Sequence, residues 1–177
     1  YAKEEGIDFN FSGVELPEFV VGDKERLRRV LSNLLTNAVR FTKKDGHVDF
    51  VVENLGLSNG VYKIRFTVAD DGIGMSEEKV KNIFVPYSSV ETPDSDAIYG
   101  VGLGLSVANS IVKEMGGTIN VTSAEGTGST FWFEINLKVS EAFEGAGAVE
   151  EKKELEGKTI LIADDDSINC SIIKHML

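Results

Sequence analysis

NLLTNAVRFT, residues 33–42, sets three polar side chains beside an apolar stripe on one helix. The helix is expected over 23–43, where Leu27, Leu31, Leu34, Ala38 and Phe41 recur at alternating spacings of four and three and so share a buried face. Asp23, directly after Gly22, stands where a helix N-cap belongs. Asn33, Asn37 and Arg40 follow one another by four and then three positions, which places them together on the flank of the stripe. Two amides and a guanidinium on a half-buried face cost free energy unless they find partners. An amide oxygen can ligate Mg2+, and a guanidinium can hold a phosphate oxygen. An amide pair that caps neighbouring loops meets the same demand, so the helix alone leaves both readings open.

Outward from this helix the chain reads as α/β. Strands are expected over 47–55 and 61–69, around a turn at Ser58-Asn59-Gly60. In the second, Tyr62, Ile64, Phe66 and Val68 face one way and Lys63, Arg65 and Thr67 the other. A short helix over 76–83 and a longer one over 103–115, stopped by Gly116-Gly117, precede strands over 118–123 and 129–139. In the last strand Phe131, Phe133, Ile135 and Leu137 alternate with Trp132, Glu134, Asn136 and Lys138. Strands joined by short turns pair antiparallel, which predicts a two-layer α/β sandwich: a mixed, mainly antiparallel sheet with helices on one face.

Two glycine-containing runs fall at the ends of these elements. Asp70-Asp71-Gly72-Ile73-Gly74 directly follows a strand. A carboxylate there can accept a hydrogen bond from the exocyclic amine of a base, and glycines let a ligand approach the backbone. Standing alone, such a run is more often an ordinary strand-to-helix turn. Gly100-Val101-Gly102-Leu103-Gly104-Leu105 opens a helix, where backbone N–H groups make an anion site. Its spacing is not that of a dinucleotide fingerprint, and it lacks the Lys-Ser/Thr ending of a P-loop.

Composition narrows the function classes. The 177 residues have room for one ordinary domain and part of a second, and 42% hydrophobic content supports a packed core. With 29 acids against 18 bases the formal net charge is −11, which argues against a nucleic-acid surface. Cys170 is the only cysteine, so no intrachain disulfide can form. No apolar run approaches the roughly 18 residues of a membrane span and no signal-peptide pattern is seen, so a soluble, cytoplasmic piece without direct membrane contact is expected. Its polar, strand-like opening reads as the interior of something longer. Three domain segments are expected. Residues 1–139 form the main domain; 140–157, rich in Glu with Gly and Ala, form a solvated linker; and 158–177 begin a further domain with a buried-strand pattern and three consecutive aspartates.

Taken in order, Gly22-Asp23 with Arg26-Leu27, NLLTNAVRFT, DDGIGM at 70–75, IFVPY at 83–87, GVGLGLSVA at 100–108 and GTGSTF at 126–131 resemble the catalytic, ATP-binding domain of sensor histidine kinases. That domain belongs to a wider group (the Bergerat fold) that includes Hsp90, DNA gyrase B and MutL. The resemblance implies Mg2+ and ATP as ligands. It implies Asn37 as the Mg2+ ligand, Asn33 beside the phosphates orienting metal-bound water, and Arg40 touching phosphate. Phe41 is implied near the adenine and Asp70 as the reader of its amine. Gly72, Gly74, Gly100, Gly102 and Gly104 would shape the pocket, with N–H groups around Leu103 and Leu105 facing the phosphates, and Ser129 or Thr130 would add a hydroxyl near the base. Phe84 and Tyr87 match the aromatic motif bounding a lid over 88–99. Asparagine at 33, where the ATPase branch has a general-base glutamate, favours the kinase branch. A degenerate, purely regulatory nucleotide module is the third reading.

The match departs from the family pattern in the lid, which holds Glu91, Asp94 and Asp96 and no base, and at Tyr99, where many relatives have another glycine. Phosphoryl transfer depends on stabilising spread negative charge, so an acidic lid bears on transfer more than on binding. Neither His47 nor His175 has the context of a phosphoacceptor, so the substrate histidine is expected on a dimerisation domain upstream. TILIADDDSIN at 159–169 resembles the first strand and acidic cluster of a response-regulator receiver domain. Asp164 and Asp165 would then be the pair that helps bind Mg2+ in an incomplete receiver site; an acidic turn after a buried strand is the plainer alternative. The resemblance as a whole implies a hybrid histidine kinase with a receiver or phosphotransfer domain downstream.

Overall fold

The computed structural model describes residues 6–14, 19–87 and 102–140, all within a unit that ends at Ser140. The linker, the receiver-like segment with Asp164 and Asp165, the lid and Gly100 lie outside the described residues. In chain order the elements are β1 (Asp8–Ser12), β2 (Val20–Val21), α1 (Lys24–Phe41), β3 (His47–Ser58), β4 (Val61–Asp70), α2 (Glu77–Asn82), α3 (Gly104–Glu114), β5 (Asn120–Ala124) and β6 (Gly128–Val139).

The six strands form one sheet in the order β1-β3-β4-β6-β2, with β5 also pairing β6. Only β1 is parallel to its neighbour, Asp8 opposite His47 and Phe11 opposite Phe50; the other pairings are antiparallel. The sheet is therefore mixed and mainly antiparallel, as the short turns require. Two strands escaped the sequence reading as separate elements: β1 is wholly exposed and so lacks alternation, and β2 is two residues long.

The core follows the period-two pattern. Tyr62, Ile64, Phe66 and Val68 of β4 are buried, as are Phe131, Phe133, Ile135 and Leu137 of β6. Phe66 and Phe133, opposite each other in register, stack with centroids 5.0 Å apart. Against them packs α1, but its deepest residues are Val30, Leu34 and Ala38, spaced by four, with Val39. Leu27 and Leu31, expected in the buried stripe, are only partly buried, so the stripe is rotated toward α3 at its N-terminal end. Asp23 caps the helix by accepting from Arg26 N at 3.0 Å. Arg26 also reaches Glu114 at 2.6 Å, tying the start of α1 to the end of α3. On the polar side of the sheet Glu134 bridges Lys63 and Arg65, and those two cations, Lys63 first, hold its carboxyl below the usual range.

Candidate nucleotide-binding site

The C-terminal half of α1, the end of β4, the loop after it and the start of β6 meet around a cavity of about 40 Å3. It is lined by Asn37, Ala38 and Phe41 of α1, Asp70, Ile73, Gly74 and Met75, Ile83, Leu105 of α3, and Ser129 and Phe131 of β6. Apolar walls with a few polar groups are the chemistry of a small-molecule site. At this volume the cavity has room for a water molecule.

Asp70 ends β4 opposite Ser129. Its Oδ1 accepts the N–H of Gly72 at 3.0 Å and the N–H of Ser129 at 3.2 Å. Both bonds fall on one oxygen, which fixes the carboxylate; among the described residues no hydrogen bond falls on Oδ2. Burial pushes the Asp70 carboxyl up, against those two N–H bonds, which pull it down. Its neighbour Asp71 does something else: its Oδ1 accepts the backbone N–H of His47 at 2.8 Å, and its own N–H donates to the His47 carbonyl. The first aspartate of the pair serves the cavity, and the second fastens the loop to β3.

Gly74 shows why the loop needs glycine. Its φ is +62°, and a Cβ there would collide with the carbonyl of Ala124. Gly72 lies outside the lining but packs so closely on the Phe41 carbonyl that a side chain has no room. The loop is held further by Ile73 N donating to Phe41 O and by Gly126 N donating to Ile73 O at 2.7 Å.

The sequence candidates thus divide. Asn37, Phe41, Asp70, Gly74, Leu105 and Ser129 share the cavity wall. Thr130, one residue beyond Ser129, pairs with Ala69 and by strand alternation faces the opposite side of the sheet. Of the two hydroxyls offered for the base, Ser129 is therefore the one in the cavity. Asn33 stands a turn before Asn37, its Nδ2 donating to Arg29 O at 3.0 Å, and its Oδ1 lies beside Gly104. Arg40 is exposed, with its guanidinium 5.8 Å from the Phe41 ring centroid. Gly102, at φ +67°, accepts from Tyr87 N, and Leu103 is the N-cap residue of α3 without a side-chain cap. Among the described residues no N-cap side chain serves the first N–H groups of α3. Tyr87 itself is 71% exposed and lies away from the lining, whereas Phe84 packs against the core.

Sequence reasoning missed Ile73, Met75, Ile83 and Phe131 as lining, and Ser123 behind them. The first four look like ordinary core residues; Ser123 of β5 accepts the Met75 N–H at 2.9 Å, a contact that no spacing rule reveals. Among the described residues no cluster of three His, Cys, Asp or Glu is arranged to hold a metal ion, and no helix is long and apolar enough to cross a membrane.

This constellation, a helix bearing two asparagines, an aspartate at a strand end followed by glycines, and a glycine-led helix, is that of the GHKL-type nucleotide-binding fold. The chain belongs to the family described as histidine kinase-, DNA gyrase B-, and HSP90-like ATPase, whose profile matches residues 22–139. It is 38% identical over 156 residues to the sensor histidine kinase AruS of Pseudomonas aeruginosa, covering 88% of this chain and 15% of that protein. The chain thus spans a small fraction of that curated relative. Among solved structures it is similar to full-length ShkA in complex with AMPPNP, at TM-score 0.65 and 30% identity, over 78% of this chain and 27% of that one. The catalytic domain of histidine kinase ThkA in a nucleotide-free form matches at TM-score 0.60 and 30% identity, over 75% of this chain and 80% of that one.

Proposed function

We propose that this chain binds Mg2+-ATP and donates the γ-phosphate to a histidine on a separate dimerisation domain, as the phosphoryl-donor domain of a hybrid histidine kinase acting in the cytoplasm. The observation that carries the reading is Asp70: a fixed carboxylate on an apolar cavity wall, with one oxygen saturated by backbone N–H groups. Such a group suits the amine of adenine, and Phe41, Ile73 and Met75 suit its ring faces. The relatives named as sensor histidine kinases, and the AMPPNP bound to ShkA, support the same ligand class.

Asn37 and Asn33 are the amides that would face Mg2+ and its water, and Arg40 and the α3 N–H groups would face phosphate. Two amides cannot complete an octahedral shell, so phosphate oxygens and water would supply the remainder. Bound Mg2+ would neutralise charge on the triphosphate. This chain's own residues hold the base, exclude water from its edge and aim the phosphates past the start of α3. The TILIADDDSIN run at 159–169 supports a further, receiver-like domain after the linker, with Asp164 and Asp165 as its first carboxylates.

Single-turnover transfer to a supplied histidine-bearing hairpin tests the proposal. Labelled phosphate should move from ATP to the hairpin, and at limiting ATP the transfer should fall at least about tenfold in Asp70→Asn. Steady phosphate release without the hairpin would instead favour a hydrolase of the gyrase and Hsp90 type, and nucleotide binding with neither reaction would favour a regulatory module.

A further inference from the structure

Ser123 lies behind the cavity wall in β5, between the loop that carries Gly74 and the strand that carries Ser129. Its Oγ is 2.9 Å from Met75 N, 2.9 Å from Gly128 O and 3.0 Å from Ser129 Oγ. A serine hydroxyl has one proton to give and two lone pairs to receive. Met75 N–H can only donate and the Gly128 carbonyl can only accept. Ser123 therefore spends its proton on Gly128 and one lone pair on Met75. The role left for it toward Ser129 is that of acceptor.

Ser129 must then give its own proton to Ser123. Ser129 lines the cavity beside Asp70, and its backbone N–H is already committed to Asp70 Oδ1. With both its protons consumed, the hydroxyl oxygen offers the cavity lone pairs only. Asp70, ionised, also offers lone pairs only. The polar edge of the cavity thus presents two acceptors side by side.

We infer that Ser123 is a specificity-determining residue of the base pocket: by consuming the Ser129 proton it selects a purine that carries an amine over one that carries a carbonyl at that edge. This rests on the nucleotide reading of the cavity. An amine meets the two acceptors with its N–H groups. A carbonyl places a third acceptor against them, and neither Ser129 nor Asp70 has a donor left to turn toward it. Ser123 acts through Ser129 and Met75 and touches no nucleotide atom, so its role is one of positioning.

The test is a calorimetric titration of ATP and of inosine triphosphate, which has a carbonyl in place of the amine, in the presence of Mg2+. The wild-type chain is compared with Ser123→Ala, Ser123→Thr, Ser129→Ala and Asp70→Asn. In Ser123→Ala the Ser129 hydroxyl regains a free proton, and the preference for ATP should fall about fivefold or more, chiefly through tighter inosine triphosphate binding. Ser123→Thr keeps the hydroxyl and should keep the wild-type preference. Ser129→Ala leaves Met75 anchored and should also lower the preference. A merely structural serine would weaken both nucleotides alike and leave their ratio unmoved; that result in folded Ser123→Ala overturns the inference. If Ser123→Ala does not fold, an unchanged ratio in Ser129→Ala overturns it equally. Asp70→Asn separates the two levels. If it lowers the preference while the serine variants keep it, Ser123 has no such role and the nucleotide reading stands; if it too leaves the ratio unchanged, the nucleotide reading fails.

Discussion

Gly104 sits against the side chain of Asn33 where α3 begins beside α1: a Cβ at 104 would stand 2.8 Å from Asn33 Oδ1. Because Asn33 Nδ2 donates to Arg29 O, the amide has a fixed orientation, with its oxygen turned toward the first turn of α3. The glycine at this point therefore makes room for a polar side chain.

Gly104→Ala should accordingly displace Asn33 and lower Mg2+-nucleotide affinity about tenfold, the scale of one well-placed polar contact. Alanine favours a helix over glycine by about 1 kcal/mol, which offsets part of the crowding, so the melting temperature should change little. Calorimetry with and without Mg2+, beside a thermal melt, separates the two effects. Unchanged affinity in a folded variant would remove Asn33 from the site.

Asp70→Asn should weaken ATP binding at least about tenfold with the fold intact. The amide oxygen can still accept from Gly72 N and Ser129 N, so the loop keeps its anchor. What changes is the second oxygen, which becomes an NH2 group facing the amine of the base, donor against donor. Titration calorimetry and circular dichroism together check the claim; wild-type affinity in a folded variant would exclude Asp70 as the reader.

Acidity should act on the same residue. Burial raises the Asp70 carboxyl above the ordinary aspartate value of 3.8, and proton and amine compete for it. Affinity is therefore full when pH lies above the raised value and is lost as pH falls through it. Stability of the empty domain moves the other way, because protonation relieves a buried charge: the folded state holds the proton more tightly than the unfolded chain, so stability rises as pH falls through the same interval. ATP titrations at stepped pH should show the loss beginning above pH 3.8 in the wild type and no such step in Asp70→Asn.

The sequence was most legible where a period governs the structure. Tyr62 to Val68 and Phe131 to Leu137 alternate cleanly, and the sheet they predict is the sheet observed. On α1 the same rule placed the helix but rotated its face, since Val30 and Val39 compete with Leu27 and Leu31 for burial and only the packing of α3 decides between them. At the cavity the motifs named Phe41 and Leu105 beside the polar residues but not Ile73, Met75, Ile83 and Phe131, which line it with side chains that any core would contain. Asp70 and Asp71 are alike in sequence; their division of labour depends on which one the strand end turns toward the cavity. Ser123 is invisible to pattern reading because its three partners come from a distant loop and a neighbouring strand.

His47 closes the far edge of the sheet in a manner that pH should expose. Its Nδ1 lies 3.1 Å from Asp8 Oδ2 on β1 and its Nε2 lies 3.0 Å from Asp49 Oδ1 on β3, where Asn10 also donates to Asp49. A ring with a carboxylate at each nitrogen can satisfy both only as the imidazolium. The hydrogen bond to Asp49, and then that to Asp8, raise the His47 value above 6.5, and Asn10 and then His47 hold Asp49 below 3.8. The histidine's contribution is therefore fully present below pH 6.5 and is lost as pH rises through its raised folded value. The Asp49 contribution is present above 3.8 and is lost as pH falls through its lowered value. These groups stand in water, so the effect is small, and it should concentrate in β1, which among the described residues pairs with β3 alone. Thermal melts of the wild type and His47→Gln between pH 5.5 and 9 should differ most at the acid end, by a few degrees at most. The difference should close as pH rises. An equal difference at both ends would mean that His47 holds β1 by packing alone and that its charge is idle.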